Sequence, residues 1–263
     1  MKDDVYTLEK AASQATIRVY PTSQTASGYV AQYIASLITT REQQGQKPVL
    51  GLATGNTPIE VYKALINLYK TEGLSFKNVI TFNLDEYYPM APKDGQSYRS
   101  FMNANLFDHI DIDITNTHIP DGTLPLQEVE SYCQAYEQKI NDCGGLDLQL
   151  LGIGRTGHIG FNEPGSALGS PTRLVCLNEI TIQDAATTFG DAENVPSQAI
   201  TMGVETISRA KEIILLGLGQ HKAQIIQKAI QGEITHKVPA SYLQKLAKVT
   251  YILDQEAAAR LVP

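Results

Sequence analysis

Cysteine is scarce in this sequence: its 263 residues hold three, Cys133, Cys143 and Cys176. The number is odd, the spacings are wide and no C-x-x-C pair occurs. Neither a disulfide framework nor a thiolate metal site is expected, and the thiols read as incidental ones of a reducing compartment. Excess positive charge is also lacking. The formal net charge is -7, which argues against a nucleic-acid partner but leaves room for an anionic substrate held by a few local donors. No apolar run approaches the ~18 residues of a membrane span. The opening MKDDVYTLEK lacks the apolar core of a signal peptide. No membrane partner and a cytoplasmic location are therefore expected. His109, His118, His158, His221 and His236 form neither H-E-x-x-H nor another paired spacing, so no metal is expected. Repeats, low-complexity segments, long linkers and coiled-coil heptads are missing too.

What is present is an ordinary globular composition, 43% hydrophobic and 19% charged. It suffices for one large α/β domain or two small ones. Short apolar runs alternate with longer amphipathic ones. Strands are expected at Thr16–Tyr20, Pro48–Thr54, Asn78–Asn83, Leu146–Ile153, Lys211–Leu218 and Val249–Leu253. Helices are expected at Ser27–Gln44, Pro58–Thr71, Tyr98–His109, Gln127–Asn141, Gln220–Gln231 and Gln255–Leu261. The alternation predicts a mostly parallel twisted sheet with helices on both faces. Ligands of such sheets sit at the carboxyl ends of the strands.

Three polar clusters fall at those ends. LGIGRTGHIGFNEPG (Leu151–Gly165) contains G-x-G-x-x-G, but Gly160, Pro164, Gly165, Gly169 and Pro171 follow. A dinucleotide turn needs a helix opening there, and these residues prevent one. The loop instead offers His158, suited to proton transfer, and Glu163, able to orient it. ATGNTP (Ala53–Pro58) joins a strand to a helix. Gly55 permits a sharp turn, and Thr57 sits at the helix start, either as an N-cap or as part of an anion cradle. FNLDEYY (Phe82–Tyr88) places Asp85 and Glu86 directly after an apolar strand, as a metal site, a base, a sugar-hydroxyl ligand or a solvated turn.

These clusters, with SYRSFMNANLFDHIDI, AITMGV, GQHKA and VPASYLQ, resemble the glucosamine-6-phosphate deaminase/isomerase family over most of the chain. The G-H-I-x-F-N-E-P core is specific to it; the related 6-phosphogluconolactonases share the fold without that continuation. The resemblance implies one modified Rossmann-like domain over residues 1–263. It implies a sugar-phosphate substrate, no cofactor, and conversion of a 2-amino aldose 6-phosphate to a ketose 6-phosphate and ammonia. It assigns Asp85 as the enolisation base and His158 as the group handling the ring-oxygen proton, with Glu163 orienting it and Thr156 in the ring-opening relay. Thr54, Gly55, Asn56 and Thr57 would cradle the phosphate, Lys222 would add charge, and Glu86 joins the substrate contacts. A homo-oligomer is implied for some members and a monomer for others.

Three departures accompany the match. Thr156 stands where many members carry Asp or Asn; its hydroxyl can bond but cannot hold charge. Thr187 and Thr188 occupy the stretch where members carry a phosphate-gripping arginine, which leaves Arg173, Lys222 or another residue to compensate. Val175 replaces a lysine of regulated members, so Ser166 and Arg173 match an effector site only in part and strong activation by an N-acetylated sugar phosphate is not expected. Galactosamine 6-phosphate, a phosphosugar lactone and binding without turnover remain the competing readings.

Overall fold

The computed structural model describes Tyr6–Leu8 and residues 15–262. In chain order its elements are β1 (Tyr6–Leu8), β2 (Thr16–Tyr20), α1 (Ser23–Gln43), β3 (Val49–Leu52), α2 (Ile59–Glu72), β4 (Ile80–Asn83), β5 (Asp85–Tyr88), α3 (Tyr98–Asn105), β6 (Thr117–His118), α4 (Leu126–Asp142), β7 (Leu148–Leu151), β8 (Arg173–Cys176), α5 (Glu179–Phe189), β9 (Gln198–Thr201), α6 (Val204–Ser208), β10 (Glu212–Gly217), α7 (Ala223–Gln231), β11 (Val249–Asp254) and α8 (Gln255–Ala258).

Eight strands form the main sheet in the order β1-β2-β11-β10-β7-β3-β4-β6. β1 is antiparallel to β2, and the other seven are mutually parallel. Side chains alternate across the sheet because successive Cβ atoms point to opposite faces. On β10, Ile214 and Leu216 pack with Val30, Ile34 and Ile38 of α1 and Val61 and Leu65 of α2. Ile213 and Leu215 pack on the other face with Tyr136 and Ile140 of α4, Ile207 of α6, and Ile226 and Ile230 of α7. Both faces are covered, as a parallel sheet requires. Among the described residues, no helix is long and apolar enough to cross a membrane.

Local chemistry sets the helix ends. Thr22 and Thr25 form a capping box at the start of α1, and Gly73 ends α2 in the left-handed conformation. Of the two roles open to Thr57 the N-cap is excluded, because Pro58 holds that position with no side-chain cap bond. One expectation needs correction. The segment Tyr98–His109 is not one helix, because Leu106 breaks it at φ -145° and a 3-10 turn follows.

A second, antiparallel sheet, β5-β9-β8, was not expected. Asp85 pairs with Thr201, and Thr201 pairs in turn with Arg173. Asp85–Tyr88 is therefore buried strand rather than the loop after one, and only Leu84 separates it from β4. This sheet stands at the carboxyl ends of the parallel strands and forms a wall over them.

Candidate active site

A cleft of about 280 Å³ opens at that end of the sheet. The loop after β3 brings Thr54, Gly55, Asn56 and Thr57 to it, and β5 brings Asp85. The loop after β7 adds Arg155 and His158, and the turn after β10 adds Lys222. Residues far apart in sequence thus share one cavity, from Ala53 to Lys222.

The loop before α2 is built to receive an anion. Gly55 has φ 85°, a left-handed conformation that glycine adopts without strain. Among the described residues, the backbone N–H groups of Gly55, Asn56 and Thr57 make no hydrogen bond. They sit just before a 14-residue helix, whose dipole adds positive potential there. Lys222 Nζ is 2.8 Å from the Ile153 carbonyl oxygen, to which it donates one of its three N–H groups. Burial pulls its proton affinity below the ordinary lysine value, with Arg155 pushing the same way and Asp184 opposing.

Asp85 is 5% exposed, and among the described residues its side-chain carboxyl makes no hydrogen bond. Burial, reinforced by the neighbouring Glu86 charge, pushes its carboxyl well above the ordinary aspartate value. Gly160 is what allows the β7 loop so close: a Cβ there would lie 3.2 Å from Asp85 Oδ2 and 2.9 Å from Thr201 Oγ1.

His158 is held from both sides. Its Nδ1 lies 3.2 Å from Glu163 Oε2 and 3.1 Å from Thr156 Oγ1. Its Nε2 lies over Gly154, where a Cβ would come within 1.9 Å. Thr156 Oγ1 also donates to Glu163 Oε2 at 3.3 Å. The other oxygen of Glu163 accepts from Thr181 Oγ1 at 2.5 Å and from the Asn178 N–H at 3.4 Å. Burial raises the Glu163 proton affinity, but the bond and charge of His158, then Thr181 and Asn178, outweigh it and hold the carboxyl below its ordinary value. Thr156 and Glu163 back His158 from behind; neither lines the cleft.

Glu86 does not join this group. Strand alternation sends it to the opposite face of β5, into a separate cavity of about 380 Å³ beside Arg99 and His118. Its Oε1 accepts from the Tyr87 and Tyr98 N–H groups at 2.9 and 3.0 Å, and Oε2 from the Arg99 N–H at 3.2 Å. It caps the first turn of α3. Burial pushes its carboxyl up to about 7 against those three bonds and the Arg99 charge.

Phe161 and Asn162 of F-N-E-P fasten the loop to its surroundings, and Phe161 also lines the cleft. Asn162 is fully buried and donates to the Ile159 and Met202 carbonyls, both at 2.8 Å, while its Oδ1 accepts from Arg173 at 2.9 Å. Phe161 stacks on Tyr98, with ring planes 8° apart.

The model of the glucosamine-6-phosphate isomerases/6-phosphogluconolactonase family matches residues 21–252. The chain belongs to this family. It is 51% identical to a glucosamine-6-phosphate deaminase of Shouchella clausii, over 88% of this chain and 92% of that one. A glucosamine-6-phosphate deaminase of Shewanella woodyi is 47% identical over 89% of this chain and 88% of its own. Among solved structures, a monomeric glucosamine-6-phosphate deaminase superposes with a TM-score of 0.88 at 42% identity, covering 92% of this chain and 98% of its own. A 6-phosphogluconolactonase from Trypanosoma cruzi reaches 0.73 at 21% identity, with 94% and 97% covered, and shares the fold alone.

The loops after β3 and β7 and strand β5 frame the cleft, and α5 contributes residues that the sequence reading missed. Thr181 and Asp184 line the cleft from α5, and Asp184 is 3.0 Å from Arg155. Asn178 as N-cap and Gly190, at φ 81°, as C-cap mark this helix. Those two residues were its legible signal. Arg173 does not reach the cleft: its guanidinium is taken by Asn162 Oδ1 and by Ser166 Oγ at 3.1 Å. Arg155 is the arginine that lines it.

Proposed function

We propose that this chain is an isomerising deaminase that converts glucosamine 6-phosphate and water to fructose 6-phosphate and ammonia. The observation that carries the reading is the makeup of one cleft: an isolated buried carboxyl (Asp85), a histidine backed by a carboxylate (His158 and Glu163), and a cradle of free N–H groups beside Lys222. Two relatives that share about half their residues with this chain carry the deaminase name.

The chemistry divides among these groups. The phosphate seats on the Gly55, Asn56 and Thr57 N–H groups, with the Thr54 hydroxyl and Lys222 beside it. His158 passes a proton to the ring oxygen as the C1–O5 bond breaks and takes up the one that the C1 hydroxyl loses as the carbonyl forms, and Glu163 and Thr156 fix its Nδ1 side. Asp85 then takes the C2 proton of the open chain while O1 regains its proton from His158, giving an enolamine, and Asp85 returns its proton to C1. That leaves a protonated imine at C2; water adds there and ammonia departs. The raised proton affinity of Asp85 makes it a stronger base once ionised. Every group named comes from one chain, and no step calls for a metal or cofactor. Glu86, expected among the substrate contacts, acts instead through the α3 terminus. The substrate is a small cytoplasmic sugar phosphate, and neither nucleic acid nor membrane is a partner.

The test is ammonia release by the purified protein, offered glucosamine 6-phosphate and galactosamine 6-phosphate in parallel. Turnover of the first supports the reading. Preference for the second moves the substrate to the C4 epimer with the same residues. No ammonia from either overturns it.

A further inference from the structure

Three charges meet at the mouth of the cleft: Lys222, Arg155 and Asp184. Arg155 and Asp184 form an ion pair across it, 3.0 Å apart, one from the β7 loop and the other from α5. Both side chains are about half exposed or more, at 61% and 48%. An exposed pair of this kind contributes little, because water screens it and two long side chains are immobilised. It is easily exchanged. The N–H cradle of Gly55, Asn56 and Thr57 opens into the same cleft, and a phosphate seated there carries about 1.5 to 2 negative charges at neutral pH. A guanidinium grips such a group through two parallel N–H bonds, whereas a lysine acts as a point charge.

We infer that Arg155 is a phosphate-binding residue of this enzyme and that Asp184 is its resident counter-ion, displaced when the phosphate arrives. The inference rests on the sugar-phosphate reading of the cleft. In the free protein Asp184 neutralises Arg155 and holds α5 against the β7 loop. With substrate bound, Arg155 turns its two-pronged face to the phosphate, and Asp184 is left as a nearby like charge that weakens binding. Asp184 is thus a determinant of affinity: it sets how strongly the cleft retains any phosphate ester, product included. Neither residue touches the reacting carbons, so both act on binding rather than on the chemical step.

The experiment measures inorganic phosphate binding by calorimetry for wild type, Arg155→Ala, Arg155→Lys and Asp184→Asn, with KM and kcat for ammonia release alongside. Both side chains are solvent-facing, so the folded protein tolerates the changes. Arg155→Ala is expected to weaken phosphate binding and raise KM by about 10- to 100-fold, the size of a charge-assisted contact, with kcat close to wild type. Arg155→Lys recovers part of that loss. Asp184→Asn tightens phosphate binding and lowers KM by about 2- to 5-fold. Wild-type phosphate binding in Arg155→Ala overturns the inference. So does weakened binding in Asp184→Asn, which would make Asp184 a support for Arg155 rather than its competitor. Arg155-dependent phosphate binding without ammonia release from either sugar removes the proposed reaction and leaves the inference standing. Ammonia release with Arg155-independent binding does the reverse.

Discussion

Thr181 Oγ1 lies 2.5 Å from Glu163 Oε1, to which it donates its hydroxyl hydrogen, and 3.4 Å from His158 Nδ1. The bond links α5 to the histidine of the β7 loop through Glu163. A carboxylate with both oxygens engaged holds its plane, and the imidazole bonded to it holds its orientation. Thr181→Val removes the hydroxyl while keeping volume. It is expected to lower kcat about 10-fold with cyclic substrate, since a charge-assisted bond is worth about 1.5–3 kcal/mol and only part of it reaches the transition state. KM should stay near wild type. Equal kcat in the two proteins would detach Thr181 from the relay.

Gly154 gives a steric test of the same histidine. A Cβ on Gly154 would come within 1.9 Å of His158 Nε2, so Gly154→Ala must push the ring aside. Misplacement by about 1 Å costs on the order of 100-fold in rate. The expected result is that loss with phosphate binding unchanged, read by ammonia release and by calorimetry with inorganic phosphate. Full activity in Gly154→Ala would mean the ring position is immaterial.

Asp85→Asn should abolish exchange of the C2 proton with solvent, followed in D2O, while phosphate still binds. It should also stabilise the fold in a pH-dependent manner. The folded carboxyl binds its proton more tightly than the unfolded one, whose ordinary value is 3.8. Below that value both states are protonated and no penalty exists. As pH rises above it, the native state must either keep a proton that the unfolded state has released or bury a charge, and stability falls. The wild type should therefore melt below Asp85→Asn at pH 8, and the gap should close near pH 4. A gap that grows on acidification would reverse the sign and refute the burial account.

Glu86→Ala separates stability from substrate contact. It strips the acceptors from the Tyr87, Tyr98 and Arg99 N–H groups. A lowered thermal midpoint is expected, since buried donors left unpaired cost about 1–3 kcal/mol each. KM for the sugar phosphate should change less than about twofold, because Glu86 lines the other cavity and its loss removes no uniform contact to the substrate. A large rise in KM with an unchanged midpoint would return Glu86 to the substrate side.

The parts that local sequence determines came through the sequence directly. TIRVY is β2 from Thr16 to Tyr20, and VTYILD supplies β11, because short apolar runs bounded by polar or turn residues leave a chain few alternatives. The glycines and prolines after Gly157 exclude a dinucleotide-binding helix, and the loop there contains none. The α/β class and the mostly parallel order followed from alternation alone. What only tertiary structure decided is the status of Asp85–Tyr88. DEYY carries no strand signature, and its partner β9 lies more than 100 residues along the chain, at Thr201 for Asp85. Pairing makes it a strand, and the two-residue period of a strand sends Asp85 into the cleft and Glu86 behind it. Adjacency in sequence could not separate those two acids. Likewise, Arg155 and Asp184 meet only because α5 folds back over the β7 loop, a contact that no spacing along the chain encodes.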